Sequence, residues 1–136
     1  MQVRCGCGQL SLTFNQAPVT QLICHCDHCR EVTMQPSTLV AFFKAEPQGV
    51  VGRVINKPYM GGSGRPKAYA ACEQCGDYVY ADVSVLKGLI GVIGDKILPP
   101  FQPQPAAHVW TSQRVVEIAD TLPQFPKGPA VRPGVN

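Results

Sequence analysis

The residues whose type and spacing could do chemistry are seven cysteines. They fall into three clusters, Cys5-x-Cys7, Cys24-x-Cys26-x₂-Cys29 and Cys72-x₂-Cys75. Because seven is odd, the thiols cannot all pair as disulfides, and in the cytoplasm they would stay reduced in any case. Clustered thiolates at these spacings are typical zinc ligands. The sequence therefore predicts metal binding.

Two of the clusters each predict a pair of ligands on a tight turn. Glycines at positions 6, 8 and 76 lie within or directly after these pairs, where they relieve the crowding of side chains that converge on one ion. Together the pairs would complete a tetrahedral site with no position left for substrate, so we expect a structural zinc on Cys5, Cys7, Cys72 and Cys75. Structural zinc contributes on the order of 10 kcal/mol or more in small peptides. Removal of the metal should therefore unfold the domain.

The third cluster has only three cysteines, Cys24, Cys26 and Cys29, and leaves the fourth ligand open. A histidine or carboxylate could complete the site, or a water that substrate replaces. His25 and His28 are candidates for a closed Cys₃His site, although each lies between two ligands that would turn its ring away. An iron–sulfur cluster lacks its usual spacing here. A redox-active thiol pair beside Arg30 is a further alternative.

Length and composition predict one small cytoplasmic domain. The chain has 136 residues, 45% of them hydrophobic, and no run approaches the roughly 20 apolar residues of a membrane helix. The first residues lack the apolar region of a secretory signal. Twelve Lys and Arg against nine Asp and Glu give a formal charge of +3. Seven thiolates with two zinc ions would bring this charge to zero, so it does not favour nucleic acid as a partner.

Hydrophobic alternation predicts a mainly β protein with little helix, built from folded-over antiparallel sheets and pinned by the four-cysteine zinc site. One short helix is expected after Cys26, capped by Asp27 and running through DHCREVTM. We predict a domain over residues 1–126, a flexible tail over 127–136 and a flexible GGSG stretch at 61–64. The predicted strands span 9–14, 19–23, 38–43, 50–56, 67–71, 78–83, 89–93 and 107–118.

The segments RCGCGQLSLTF, CHCDHCR, ACEQCG and HVWTSQRVVEIADTLPQF resemble, in this order, the family of glutathione-dependent formaldehyde-activating enzymes, which also includes centromere protein V. The resemblance implies a compact fold of the β-tent type. It also implies a structural zinc on the residues that match the two paired clusters, and a second, exchangeable zinc associated with activity on Cys24, Cys26 and Cys29. After CHCDHCREV the family often continues with Thr or Ser, Gly and a small residue, whereas this chain has Thr33, Met34 and Gln35.

The activity that the resemblance implies is a carbon–sulfur lyase run in reverse, which condenses formaldehyde with glutathione to S-hydroxymethylglutathione. Zinc with three thiolate ligands is a poor Lewis acid, so it would deliver the thiol rather than polarise the carbonyl. His25, His28 and Glu31 are candidate proton carriers. The alternatives are a zinc- or thiol-binding module without turnover, and a chromatin or cytoskeletal partner, which the lack of a basic extension disfavours.

Two further expectations concern partners. A small thiol such as glutathione is the expected partner, with neither nucleic acid nor membrane. Arg30, Arg53 and Arg65 could pair with the two carboxylates of glutathione, although solvation explains these arginines equally well.

Overall fold

The structure is a computed structural model and describes residues 1–44, 46–60, 66–83 and 88–128. The predicted GGSG stretch at 61–64 lies outside these residues, as does the predicted tail from residue 129 onward, so both stay predictions. Among the helices described, none is long and apolar enough to cross a membrane.

The described chain is mainly β, as predicted, and its strands form two sheets. The smaller sheet has the order β1-β2-β5 and the larger sheet the order β10-β3-β4-β9-β8-β7-β6. All neighbours are antiparallel except β10 and β3, which pair in parallel. The strands are β1 (Gln2–Arg4), β2 (Ser11–Thr13), β3 (Thr20–Cys24), β4 (Thr38–Phe43), β5 (Gly49–Val51), β6 (Val54–Met60), β7 (Pro66–Cys72), β8 (Tyr78–Val83), β9 (Ile90–Ile93) and β10 (Ala107–Val109).

The hydrophobic core lies between the two sheets. Val3 and Leu12 point into it from the smaller sheet, and Phe43 and Val92 from the larger one; all four are essentially inaccessible. The rings of Phe14 and Phe43 stack with centroids 4.1 Å apart. Burying these apolar side chains is the main favourable contribution to folding. The core also contains Cys5 and Cys72, so it fixes one cysteine of each pair.

The predicted strand 50–56 is interrupted because Gly52 separates β5 from β6. Gly52 has φ +103°, and a Cβ there would lie 2.2 Å from the Gln9 carbonyl oxygen. No other residue fits both conditions. The chain therefore changes from the smaller sheet to the larger one at this glycine.

The strand predicted for 107–118 was wrong beyond β10. Trp110 adopts a left-handed conformation with φ 57°, and a 3₁₀ turn follows at Thr111–Gln113. The segment then folds back beside β10, because His108 N–H donates to the Pro123 carbonyl and Phe125 N–H to the His108 carbonyl. Val115, Val116 and Ile118 favour β structure, but none of the described strands pairs with residues 114–118, and a strand requires a partner for its backbone groups.

The single predicted helix is present as α1, Asp27–Thr33, but its cap was predicted wrongly. Cys26 is the N-cap, and its sulfur accepts a hydrogen bond from the Cys29 backbone N–H at 3.3 Å. Asp27 instead occupies the first turn of the helix. Met34 ends the helix in a left-handed conformation with φ 58°.

Candidate metal centres

The two paired clusters meet at one point and form a four-cysteine cluster. The sulfur atoms of Cys5, Cys7, Cys72 and Cys75 all lie within 4.8 Å of one another. The Cys5–Cys7 and Cys7–Cys72 sulfur distances are 3.6 and 3.7 Å, and a tetrahedral zinc with bonds of about 2.3 Å would place its sulfur ligands about 3.8 Å apart. The donor set and its spacing therefore fit a closed zinc site.

Local hydrogen bonds shape both halves of this cluster. Gly8 N–H donates to the Cys5 carbonyl, and Gly76 N–H donates to the Cys72 carbonyl. Both glycines have positive φ, 81° and 78°, which L-residues adopt only at a cost. Leu10 N–H also donates to Cys5 Sγ at 3.3 Å. The glycines thus permit the turns that direct each cysteine pair toward the other.

Asp77 connects the two halves. Its carboxylate accepts a hydrogen bond of 2.6 Å from Gly6 N–H in the first turn, while Asp77 itself follows the second turn. Lys96 forms an ion pair with the same oxygen at 3.2 Å. Burial raises the pKa of Asp77, but the Gly6 and Lys96 bonds outweigh it and lower the pKa overall. Sequence reasoning missed this residue, although its position directly after the C-x₂-C-G turn was a usable signal.

The remaining cysteines form a separate three-cysteine cluster. Cys24 ends β3, Cys26 caps α1 and Cys29 lies in its first turn, and their sulfur atoms lie within 4.8 Å of one another. Cys26 and Cys29 are buried and Cys24 is half-buried. Among the described residues, no histidine or carboxylate atom joins this cluster. Three converging soft ligands fit one side of a zinc ion and leave its fourth position for an outside ligand.

Strand β7 brings two polar side chains to this cluster. The Tyr69 hydroxyl lies 3.6 Å from Cys29 Sγ, and Lys67 Nζ lies 3.9 Å from Cys26 Sγ. The pKa of Cys26 is lowered, chiefly because its thiolate accepts hydrogen bonds from the thiols of Cys24 and Cys29, with a further contribution from Lys67. Burial and the nearby thiolates raise the pKa of Tyr69. Tyr69 therefore stays protonated and can donate to a Cys29 thiolate.

An aromatic wall continues outward from Tyr69 over the larger sheet. The Tyr59 ring meets the Tyr69 ring edge-on at 5.2 Å, and the His28 ring lies 4.8 Å from that of Tyr59. Tyr78 contacts the other side of Tyr69 at 5.9 Å. His28, predicted as a possible ligand or proton carrier, therefore packs on tyrosine outside the three-cysteine cluster.

His25 belongs to a buried chain of polar groups. Its Nε2 lies 2.9 Å from His108 Nδ1, and His108 Nε2 lies 3.1 and 3.0 Å from the two Asp120 oxygens. Because a carboxylate can only accept, His108 Nε2 donates its N–H to Asp120, and the hydrogen bond between His25 and His108 uses a proton on one of the two facing nitrogens. The pKa of His25 is lowered by burial first, and then by its cationic neighbours. This series of hydrogen-bonded side chains connects the end of β3 to the C-terminal segment.

The arginines predicted to pair with substrate are arranged differently. Arg30 Nη1 donates to the backbone carbonyls of His25 and Gln113, both at 2.6 Å, and Nη2 pairs with Asp27. Arg30 thus joins the helix to the C-terminal segment, and its guanidinium group bonds to the protein itself. Arg53 is exposed, and Arg65 lies outside the described residues.

Sequence reasoning missed Lys67, Tyr69, His108 and Asp120. No local motif contains the first two, which lie about 40 residues beyond the three-cysteine cluster and reach it only because β7 lies beside the N-terminal end of α1. Tyr69 lies on the predicted strand 67–71, next to Cys72, but Cys72 belongs to the four-cysteine cluster, so this position gave no signal for the other site. No sequence signal pointed to His108 and Asp120, because the predicted strand over 107–118 would keep these two residues far apart.

This geometry defines a class of protein: a small β domain with one four-cysteine cluster and one three-cysteine cluster. Residues 1–113 match the sequence model of the family described as "Glutathione-dependent formaldehyde-activating enzyme". This match covers most of the chain, and the chain belongs to that family. No curated protein matches the chain significantly.

One solved structure gives an independent view of the fold. A crystal structure of a Rhodobacter sphaeroides protein aligns with a TM-score of 0.50 at 19% sequence identity. The alignment covers 76% of this chain and 92% of that chain. At such low identity the likeness shows the fold alone.

Proposed function

We propose that this protein is a zinc-dependent enzyme of the carbon–sulfur lyase type that acts on an adduct of glutathione or a related small thiol, such as S-hydroxymethylglutathione. The observation that carries the proposal is the three-cysteine cluster, to which the described residues add no fourth ligand. Family membership supports glutathione and formaldehyde as the chemistry of this site.

The two clusters have different roles in this proposal. Cys5, Cys7, Cys72 and Cys75 hold a structural zinc, because four thiolates saturate the ion and two of them belong to the core. Cys24, Cys26 and Cys29 hold a second zinc whose remaining position is for substrate sulfur. A zinc ion in that position would lower the pKa of a bound thiol and keep it as a nucleophilic thiolate at neutral pH.

The chemical step adds a thiol across a carbonyl group. The thiol loses its proton to solvent, and its sulfur forms a bond to the carbonyl carbon. The π electron pair of the carbonyl moves to oxygen, which takes up one proton and becomes the hydroxyl of the product. The reverse reaction breaks the same carbon–sulfur bond and releases aldehyde and thiol.

The protein's own groups prepare the site for this step. Cys29 N–H donates to Cys26 Sγ, and Tyr69 can donate to a Cys29 thiolate; each bond stabilises negative charge on a ligand sulfur. The ring of Tyr59 beside Tyr69 provides an apolar wall against which a small aldehyde can lie. These residues hold the sulfur ligands and shape the space beside them.

Exchange NMR at equilibrium tests the proposal, because it measures formation and breakdown of S-hydroxymethylglutathione together. Protein with two zinc ions per chain should raise both exchange rates above the spontaneous ones. Cys26→Ser should abolish this increase. The control is Lys44→Met, at an exposed residue outside both clusters, which should keep the increase. Fully loaded protein that changes neither rate would refute the lyase proposal and favour a thiol-binding module without turnover.

A further inference from the structure

Lys67 is a cation beside the three-cysteine cluster, and no carboxylate of the described residues pairs with it. Its ammonium nitrogen lies 3.9 Å from Cys26 Sγ and 5.1 Å from the centre of the Tyr69 ring. In the part of the chain that the structure describes, the ion pairs involve other residues, and no carboxylate pairs with Lys67. The side chain is half-buried, so it lies between the sulfur ligands and solvent.

The charge of the cluster explains what such a cation could do. Three thiolates and one divalent ion carry a net charge of −1, which the ammonium group of Lys67 offsets. A neutral fourth ligand leaves this balance unchanged. A fourth thiolate adds a second negative charge in a partly buried place, where an uncompensated charge is strongly unfavourable. Lys67 therefore stabilises a bound anionic ligand more than it stabilises a bound neutral one.

We propose that Lys67 makes the three-cysteine site selective for anionic sulfur ligands, because its ammonium group attracts a fourth thiolate more strongly than it attracts a neutral donor. This inference rests on the proposed function, since it assumes a metal ion in the three-cysteine cluster with one exchangeable position. Lys67 is a positioning and selectivity residue in this role. It selects the thiolate form of a small thiol over neutral donors such as imidazole or water.

The neighbourhood of Lys67 supports a role in admitting the ligand as well. On β7, Lys67 and Tyr69 project from the same face, and Tyr59 is the direct cross-strand partner of Lys67 on β6. The ammonium group thus lies where the aromatic wall meets the sulfur atoms. An anion that moves along this wall reaches Lys67 and Cys26 together, and opposite charges at such a position also favour productive encounter.

Cobalt(II) in place of zinc makes the test independent of catalysis, because its visible absorption reports the ligands of a tetrahedral site. Protein with two cobalt ions per chain is titrated with glutathione and, separately, with imidazole. The variants are Lys67→Met, which removes the charge at similar length, and Lys67→Arg, which retains it. Lys44→Met, on an exposed lysine, is the control for loss of one positive charge elsewhere.

We expect Lys67→Met to weaken glutathione binding by about tenfold or more, a range typical of truncating one partner of a close charge pair, with imidazole binding unchanged. Lys67→Arg should stay within about threefold of wild type, and Lys44→Met should equal it. Equal weakening of both ligands in Lys67→Met would mean a merely structural role and overturn the inference. Unchanged glutathione binding would also overturn it while leaving the proposed function intact. If the wild-type protein binds no thiol at all, both the inference about Lys67 and the proposed function fail.

Discussion

Replacing Cys75 by serine removes one ligand of the four-cysteine cluster without disturbing the core. Cys75 is exposed, whereas its neighbour Cys72 is only 1% exposed, so the substitution leaves no cavity and tests metal binding alone. A serine hydroxyl is a poor replacement for thiolate as a zinc ligand. The variant should therefore lose the zinc ion that we propose joins the turn after β1 to the turn after β7.

The expected magnitude follows from two free energies. Structural zinc contributes on the order of 10 kcal/mol or more, while a whole domain is stable by about 5–15 kcal/mol. Loss of this ion therefore removes most or all of the stability. We expect Cys75→Ser to lack a cooperative thermal transition by circular dichroism at 25 °C and above, and elemental analysis to find the four-cysteine site empty.

Cys26→Ser is the matched comparison, since it removes a ligand from the other cluster. Cys26 caps α1 through its sulfur, and serine is among the best capping residues, so the helix should keep its cap. We expect this variant to lose one metal and retain a cooperative transition. If Cys75→Ser melts like wild type, the structural assignment is refuted. If both variants unfold alike, the second site is structural as well.

Three further predictions concern the surroundings of the sites. Asp77→Asn should lower the free energy of unfolding by about 1 kcal/mol, measured by urea denaturation, because the bonds from Gly6 and Lys96 lose the carboxylate charge. The expected loss is small because the Asp77 side chain is one-third exposed and its charge is screened by solvent. An unchanged denaturation midpoint would contradict this prediction. Phe43→Ala should cost about 3–5 kcal/mol, because the ring is 1% exposed and its loss leaves a cavity; a cost below about 1 kcal/mol would be inconsistent with this core. The imidazole of His25 should titrate below its ordinary pKa of 6.5 in an NMR titration, because burial disfavours its charged form. A lowered pKa means that the unfolded chain binds the proton more readily, so this contribution to stability is full above pH 6.5 and falls as the pH drops below it; a midpoint at or above 6.5 would exclude this.

The cysteine spacing alone predicted how the cysteines divide into two clusters, because short-range geometry decides which of them can converge. Two cysteines separated by one or two residues on a glycine-bearing turn can converge on one ion wherever the turn lies. The sequence was therefore enough to predict Cys72 and Cys75 as a pair. The alternation of apolar residues likewise predicted most strands of the larger sheet, since the two faces of a strand differ in burial. The helix after Cys26 was found for the same local reason.

Only the tertiary structure decided what surrounds the three-cysteine cluster. Lys67 and Tyr69 reach it because β7 lies beside the N-terminal end of α1, and His25 turns to His108 because β10 pairs in parallel with β3. Such contacts depend on which strands become neighbours, and a residue's own sequence environment does not contain that information. The same reason explains the wrong prediction of a strand beyond Val109: the apolar residues there favour a strand, but none of the described strands lies alongside to accept its hydrogen bonds.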